Sequence, residues 1–341
     1  MCGFTARIAL LLFALLLAAC AEVVPRPVAE APLLWPPAPD PPRIAHVMSF
    51  AQPADLGIQR GFFQRIADAL FGGSESRLQR PMAVVVAEGV IYVADPGAKG
   101  VHRFDRASGD YALLHAVDGG ALPSPVGLAA GAAGEVYVTD SVLAAVFVIK
   151  RGARAAERIA LRATLKQPTG IAVDRATGGL YVVDTAAHQL LMFDRSGELL
   201  ERIGTRGAGD GEFNFPTLLW CNAQGRLYVT DSLNFRIQMF DPQGRFVGKF
   251  GQSGDGAGDQ LRQKGVAADR AGHIYVIDAL FNAMQVFDEQ GRLLLSVGAL
   301  GHERGEFWLP AGIFIGDDDT IYVADSFNRR VQVFRYVGGA G

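Results

Sequence analysis

The sequence predicts an all-β chain folded as a six-bladed β-propeller, and three observations carry that prediction. A short apolar run with tyrosine second and aspartate last recurs six times, at residues 91–95, 136–140, 180–184, 227–231, 274–278 and 321–325. The closing aspartates Asp95, Asp140, Asp184, Asp231, Asp278 and Asp325 are 45, 44, 47, 47 and 47 residues apart. Each unit between them holds four β-like segments, and a period of about 45 with four segments is the signature of a propeller. The last unit is one segment short, and an unassigned β-like run near the N-terminus can supply it.

The third unit shows the pattern of one blade. Residues 170–174 read as strand a, 180–184 as b, 189–194 as c and 199–204 as d, with turn residues at 176–179 and 195–198. Short β-rich runs parted by Gly, Asn, Asp or Ser turns predict antiparallel meanders. Such a sheet cannot bury both faces alone, so neighbouring blades must stack on it. The sixth unit offers a (312–316), b (320–325) and c (330–336), and the sequence after it is Val337-Gly338-Gly339-Ala340-Gly341. The run Arg43-Ile44-Ala45-His46-Val47-Met48-Ser49-Phe50 is therefore assigned as the missing d strand, which joins the two ends and removes an open sheet edge. One propeller domain over 43–341 follows.

Upstream of it, residues 8–17 form an aliphatic run preceded by Arg7. The run is too short for a membrane helix, which needs about 20 apolar residues, and it reads as a secretory signal over 1–19. Leu17-Ala18-Ala19-Cys20 resembles a bacterial lipobox, which implies cleavage before Cys20 and its diacylation; the alternative is an ordinary signal peptide with a chance cysteine. With Ala21 next, the lipoprotein rule implies the outer membrane, facing the periplasm, and multiple acyl chains anchor far more firmly than one. Residues 20–42 then read as a lipidated, proline-rich tether, able to span up to about 60 Å as polyproline II. Cys221 would be the only cysteine besides Cys2 and Cys20, so no disulfide is expected in the mature chain. Net charge is −3 with no basic block, so nucleic acid is not the expected partner.

Units four and six carry Asp231-Ser232-Leu233-Asn234-Phe235-Arg236 and Asp325-Ser326-Phe327-Asn328-Arg329-Arg330, with the lead-ins Gly211-Glu212-Phe213 and Gly305-Glu306-Phe307. Over residues 81–336 the chain resembles NHL-repeat propellers, which implies the six-bladed fold. It leaves function open, since that family includes protein-binding scaffolds, RNA-binding modules and a few lyases. Gly100, Ala145, Gln189 and Ala283 stand where Arg236 does, so a ring of identical ligand groups is not expected.

The six aspartates, with Asn234, Arg236, Asn328 and Arg330, are read as structural, because a carboxylate opening a tight hairpin accepts backbone N–H bonds. The family's lyases hold zinc with several inward histidines. Here His46, His102, His115, His188, His273 and His302 occupy non-equivalent positions, and three or four converging ligands are not visible. No metal, cofactor or catalytic residue is therefore assigned. Asp174, Asn222 and Asp269 end inner strands near the channel that lactonase-like propellers use, but each also sits naturally at an a–b turn.

A contact surface is expected where large apolar residues stand at b–c hairpin tips: Val142, Leu143, Leu233, Phe235, Leu280, Phe281 and Phe327. A short amphipathic helix over 61–71, with Phe62, Phe63, Ile66 and Leu70 on one face, is expected on the same rim. The leading reading is a monomeric, membrane-tethered, non-catalytic propeller that binds an envelope protein or peptide. The rival is a lactonase-like hydrolase or zinc-lyase-like enzyme working at the central channel.

Overall fold

The computed structural model describes residues 31–58 and 76–338. The chain divides into residues 1–32 and 33–341. Apart from Ala31 and Pro32 the first unit lies outside the described residues, and with it the signal segment and Cys20; so does the helix expected over 61–71. Among the described residues the structure is all-β, with helix only as three 3-10 turns of three or four residues. No helix there is long and apolar enough to cross a membrane.

The repeats fold as six antiparallel sheets, each a meander that begins with its innermost strand. Blade 3 is typical, ordered Pro168–Val173, Leu180–Asp184, Gln189–Phe193 and Leu199–Ile203. Burial explains why these strands could be read. Strand b of blade 3 and its counterparts Leu227–Asp231 and Ile274–Asp278 are buried at every residue, packed on both faces by neighbouring blades. They therefore appear in sequence as unbroken apolar runs. The outer strands Phe246–Phe250 and Leu293–Val297 alternate between covered and exposed, as a strand with one wet face must.

The fifth residue of strand c is a fully buried phenylalanine in five blades, Phe104, Phe193, Phe240, Phe287 and Phe334, and Ile149 holds the place in blade 2. Phe213 and Phe307, from the Gly-Glu-Phe lead-ins, add a second ring, each 5.8 Å from the phenylalanine of its own blade. The aromatic pair needs the bare glycine behind it. At Gly204 and Gly298 the backbone has φ +95° and +93°, and a Cβ would sit 2.4 Å from the ring of Phe213 or Phe307.

Blade 6 combines Ile313–Ile315, Thr320–Asp325 and Arg330–Tyr336 with Ile44–Phe50, which pairs antiparallel with Arg330–Tyr336 from Ile44↔Tyr336 to Phe50↔Val331. A fifth strand lies outside it. Leu34–Trp35 pairs with Ile44 and Ala45, and the Trp35 ring packs edge-on to Phe334 at 5.9 Å. The free spacer expected to run to residue 42 is thus shortened: its last part is fastened to the sheet. Two residues of strand are enough here because a half-buried indole adds apolar contact that proline-rich composition conceals.

Candidate functional site

Hydrogen bonds at the six aspartates establish which turns share a face. Asp95 accepts the amides of Gln79 (2.7 Å) and Arg80 (2.9 Å), which lead into strand a, and that of Ala98 in the b–c turn. Asp140 joins Ser124 to Val142 and Leu143 in the same way, and Asp184 joins Lys166 and Gln167 to Ala187. Asp278 joins Leu261 and Arg262 to Leu280 and Phe281. Each buried carboxylate therefore staples its b–c turn to the connection arriving from the previous blade, and those two sets of loops form one rim.

Blades 4 and 6 elaborate this staple. Asp231 accepts the amide of Asn214, Asn234 Nδ2, Arg236 Nε and Gln238 Nε2. The Arg236 guanidinium spends its other donors on the carbonyls of Ala208, Gly209 and Glu212, fixing the glycine-rich connection above it. Asp325, Asn328, Arg330 and Gln332 repeat the arrangement on His302, Glu303 and Glu306. In blade 1 His102 takes the glutamine's place, with Nε2 3.4 Å from Asp95 and Nδ1 2.9 Å from the Tyr111 hydroxyl. Burial alone would raise the Asp95 carboxyl; the His102 contact and the amides of Gln79 and Arg80 outweigh it and hold the group below its usual value.

Each b–c turn ends on a residue with positive φ that is not glycine: Lys99, Ala144, His188, Phe235, Asn282 and Arg329. This tight geometry lifts the tip away from the sheet. Val142 (68% exposed), Leu233 (51%), Leu280 (49%) and Phe327 (46%) stand in solvent there, with Leu143 beside Val142, while Phe235 and Phe281 are half-buried.

Two further exposed aromatics, Phe215 and Trp308, belong to the same rim and were not singled out from sequence. They come from the connection rather than the hairpin tip: Phe215 directly precedes Pro216, the first residue of strand a in blade 4, and Trp308 stands two residues before Pro310, ahead of strand a in blade 6. That position is the available signal, since the aspartate staple brings it beside the tip. Trp308 packs against Phe327 at 5.5 Å and His302 at 5.2 Å, and Phe215 against His188 at 4.6 Å.

The opposite end of the molecule is polar. Asp174 and Asp269 fold back on their own a–b turns: Asp174 accepts from Ala176 and Thr177, and Asp269 from Ala271, the His273 amide and the Tyr275 hydroxyl. Arg175 on blade 3 reaches Asp317 on blade 6 at 3.3 Å, so one ion pair straddles the mouth of the central channel. Cys221 lines that channel, and its thiol is pushed up to about 12 by burial, with Asp174 adding to the shift and Arg175 opposing it. It is a poor nucleophile there. Among the described residues no three His, Cys, Asp or Glu side chains gather as a metal site.

Six such sheets around one channel define a β-propeller. A family model described as a 6-bladed beta-propeller matches residues 217–280 and 268–339, and the NHL repeat matches residues 165–193. The chain is thus a six-bladed β-propeller, with an NHL repeat matched in its third blade. No curated protein matches it. Among solved structures it is similar to virginiamycin B lyase from Staphylococcus aureus, at 12% identity and TM-score 0.54 over 76% of this chain and 96% of that one. A gluconolactonase from Xanthomonas campestris gives 16% and 0.59, over 91% and 98%. A structure of a nidogen/laminin complex gives 19% and 0.52, over 63% and 79%. At these identities the likeness is one of fold, and the fold serves enzymes and protein complexes alike.

Proposed function

We propose that this chain is a non-catalytic propeller, tethered to the cell envelope through a diacylated Cys20, that binds a protein or peptide on its hairpin rim. One observation carries the reading: exposed Val142, Leu143, Phe215, Leu233, Leu280, Trp308 and Phe327 all stand on the single face built by the aspartate staples. Tight turns ordinarily carry Gly, Pro, Asn, Asp or Ser, and large apolar and aromatic groups sharing one face are what interface cores use. The fold's occurrence in a nidogen/laminin complex is consistent with such a role. No comparable convergence of nucleophile, base or metal ligands is found in the channel among the described residues.

Two structural proposals accompany this one. Ile44–Phe50, paired to Arg330–Tyr336, is taken as the strand that closes the ring. The helix read over 61–71 is taken to cover part of the rim near Phe281 and Phe327. The flanking chain supports this, since Phe50 lies opposite Val331 at the rim end of strand c, and Gln79 and Arg80 return to Asp95 on the same face. Phe63→Asp should then destabilise the domain, and an unchanged melting temperature would refute the docked helix.

The binding proposal is tested with Leu233→Asp/Phe327→Asp. Both side chains are exposed, so the pair should melt within about 2 °C of wild type. A partner that co-purifies with wild type from detergent-solubilised envelopes should be lost from the variant. Retention of that partner at wild-type yield would overturn the rim as the site.

A further inference from the structure

The rim sector formed by blades 5, 6 and 1 gathers cations around its apolar tips. Leu309, beside Trp308, donates its amide to Asn282 in the blade 5 tip at 2.8 Å, and Ser326 in the blade 6 tip donates its hydroxyl to the Pro81 carbonyl at the entry to blade 1. Leu280, Trp308 and Phe327 therefore share one continuous stretch of surface. Arg262 directly precedes the inner strand of blade 5 and Lys264 lies within it, Arg77 and Arg80 lead into blade 1, and Arg329 closes the blade 6 tip. Arg77, Arg80 and Arg329 line one hollow with Gly97. The staples hold these positions from below, since Asp278 accepts the Arg262 amide and Asp95 that of Arg80.

Charge in this sector is unbalanced. None of the five cationic side chains has an ion pair or hydrogen bond among the described residues, and Arg77, Arg80, Arg262 and Arg329 are exposed. Lys264 is half-buried, and burial, then the Arg262 charge, push its ammonium below the ordinary value. The carboxylates here are mostly spent on the fold. Asp95, Asp278 and Asp325 are fully buried in their staples. Asp259 accepts the Gly256 amide and Gln252 Nε2, and Glu306 accepts the Glu303 amide. Asp255 and Glu303 stay exposed, early in connections that run in from the outer strand. A chain of net charge −3 thus carries a positive sector on its apolar face. Unpaired cations beside an apolar patch select a partner, because complementary charge steers encounter and like charge is rejected.

We propose that this sector receives a peptide segment alternating carboxylate and large apolar side chains. Its carboxylates meet Arg77, Arg80, Arg262, Lys264 and Arg329, and its apolar groups cover Leu280, Trp308 and Phe327. The proposal rests on the reading of the rim as a protein- or peptide-binding face and adds the chemistry of the partner. Residues 59–75 of this chain do not supply that chemistry, because Arg60 and Arg65 offset Asp68 and Glu75. A nucleic-acid backbone would satisfy the cations and leave the aliphatic Leu233 and Leu280 uncovered.

The probes are a fluorescein-labelled peptide alternating glutamate with leucine and phenylalanine, and the same peptide with glutamine for glutamate. Anisotropy reads their affinities for the full chain. Exposed ion pairs are individually weak, so several together should favour the glutamate peptide by about tenfold at roughly 0.01 M ionic strength. That preference should vanish at about 1 M, where the Debye length is about 3 Å. Arg80→Gln/Arg262→Gln/Arg329→Gln keeps the stapled amides, so it should melt within about 2 °C of wild type while losing the preference. Leu280→Ser/Phe327→Ser leaves the charge unaltered and should weaken both peptides alike.

Equal affinity for the two peptides, binding of neither, or a preference that persists in high salt or in the arginine variant would each overturn the proposal. So would tighter binding of polyuridylate, or of phosphatidylglycerol vesicles, than of the glutamate peptide. Equal affinities that both fall in Leu280→Ser/Phe327→Ser would remove the acidic partner and leave the rim as a binding face. Peptide binding that this apolar change does not touch would overturn the rim reading as well.

Discussion

Replacing Asp231 with alanine removes the acceptor at the centre of the blade 4 staple. Four donors lose an acceptor: the Asn214 amide at 2.7 Å, Asn234 Nδ2 and Arg236 Nε at 2.8 Å each, and Gln238 Nε2 at 3.1 Å, although Asn234 and Gln238 keep the carbonyls of Gly207 and Glu212. The Arg236 side chain is only 8% exposed, and the carbonyls it keeps carry no countercharge. Breaking a buried pair by removing one partner costs about 3–5 kcal/mol. Asp140→Ala is the internal comparison, because that carboxylate accepts only amides, from Ser124, Val142 and Leu143, with no guanidinium beside it. Its loss should cost about 1–3 kcal/mol. Urea unfolding followed by tryptophan fluorescence, with unchanged m-values, gives both numbers. Asp231→Ala/Arg236→Met should then cost less than the sum of its single changes by about 1–3 kcal/mol, since the stranded cation is gone. An Asp231→Ala penalty no larger than that of Asp140→Ala, or strict additivity of the double change, would refute the staple as an electrostatic device.

Deleting residues 43–50 strips the side chains of Ile44 and Phe50, each 1% exposed, from blade 6. At roughly 1.5–3 kcal/mol apiece this should lower the melting temperature by about 8 °C or more, and a fall under 2 °C would exclude a closing role. The Cys221 thiol, raised to about 12 from an ordinary 9.0, should react with iodoacetamide at pH 8 about a thousandfold more slowly in the native chain than after unfolding; equal rates would contradict its burial. Asp95 has a folded-state value below its unfolded 3.8, so its stabilisation is present above 3.8 and lost as pH falls through the folded value. The stability gap between wild type and Asp95→Asn should narrow below that pH, and a gap that widens in acid would show the sign to be wrong. Labelled palmitate should enter wild type and not Cys20→Ala, and absence of label in wild type would remove the membrane tether.

How much of this was legible in the sequence follows from which contacts repeat. Strand b shows itself because both faces are buried, and the aspartate after it shows itself because each blade needs the same local staple. The outer strand of blade 2, Glu157–Arg158, has no apolar alternation to reveal it, and the pairing of Leu34–Trp35 is hidden by the prolines around it. Phe215 and Trp308 escape a reading confined to hairpin tips, because their amides are held there by long-range partners, Phe215 donating to His188 Nδ1 and Trp308 to Asp325. Trp220 is the deepest omission. In sequence it is one more apolar residue in an apolar strand, and its edge-on contact with Phe314 of blade 6, at 5.8 Å, emerges only when six inner strands surround one axis.

The claim that the rim is a protein-binding surface is tested most directly by photocrosslinking in the living producer cell. Benzoylphenylalanine would replace Leu233 or Phe327 on the rim, and Leu200 or Val247 on the outer strands as exposed controls. The rim positions should give the same discrete adduct with one protein partner, and the outer positions should give none. Adducts of equal yield from both surfaces, or none from the rim, would contradict it.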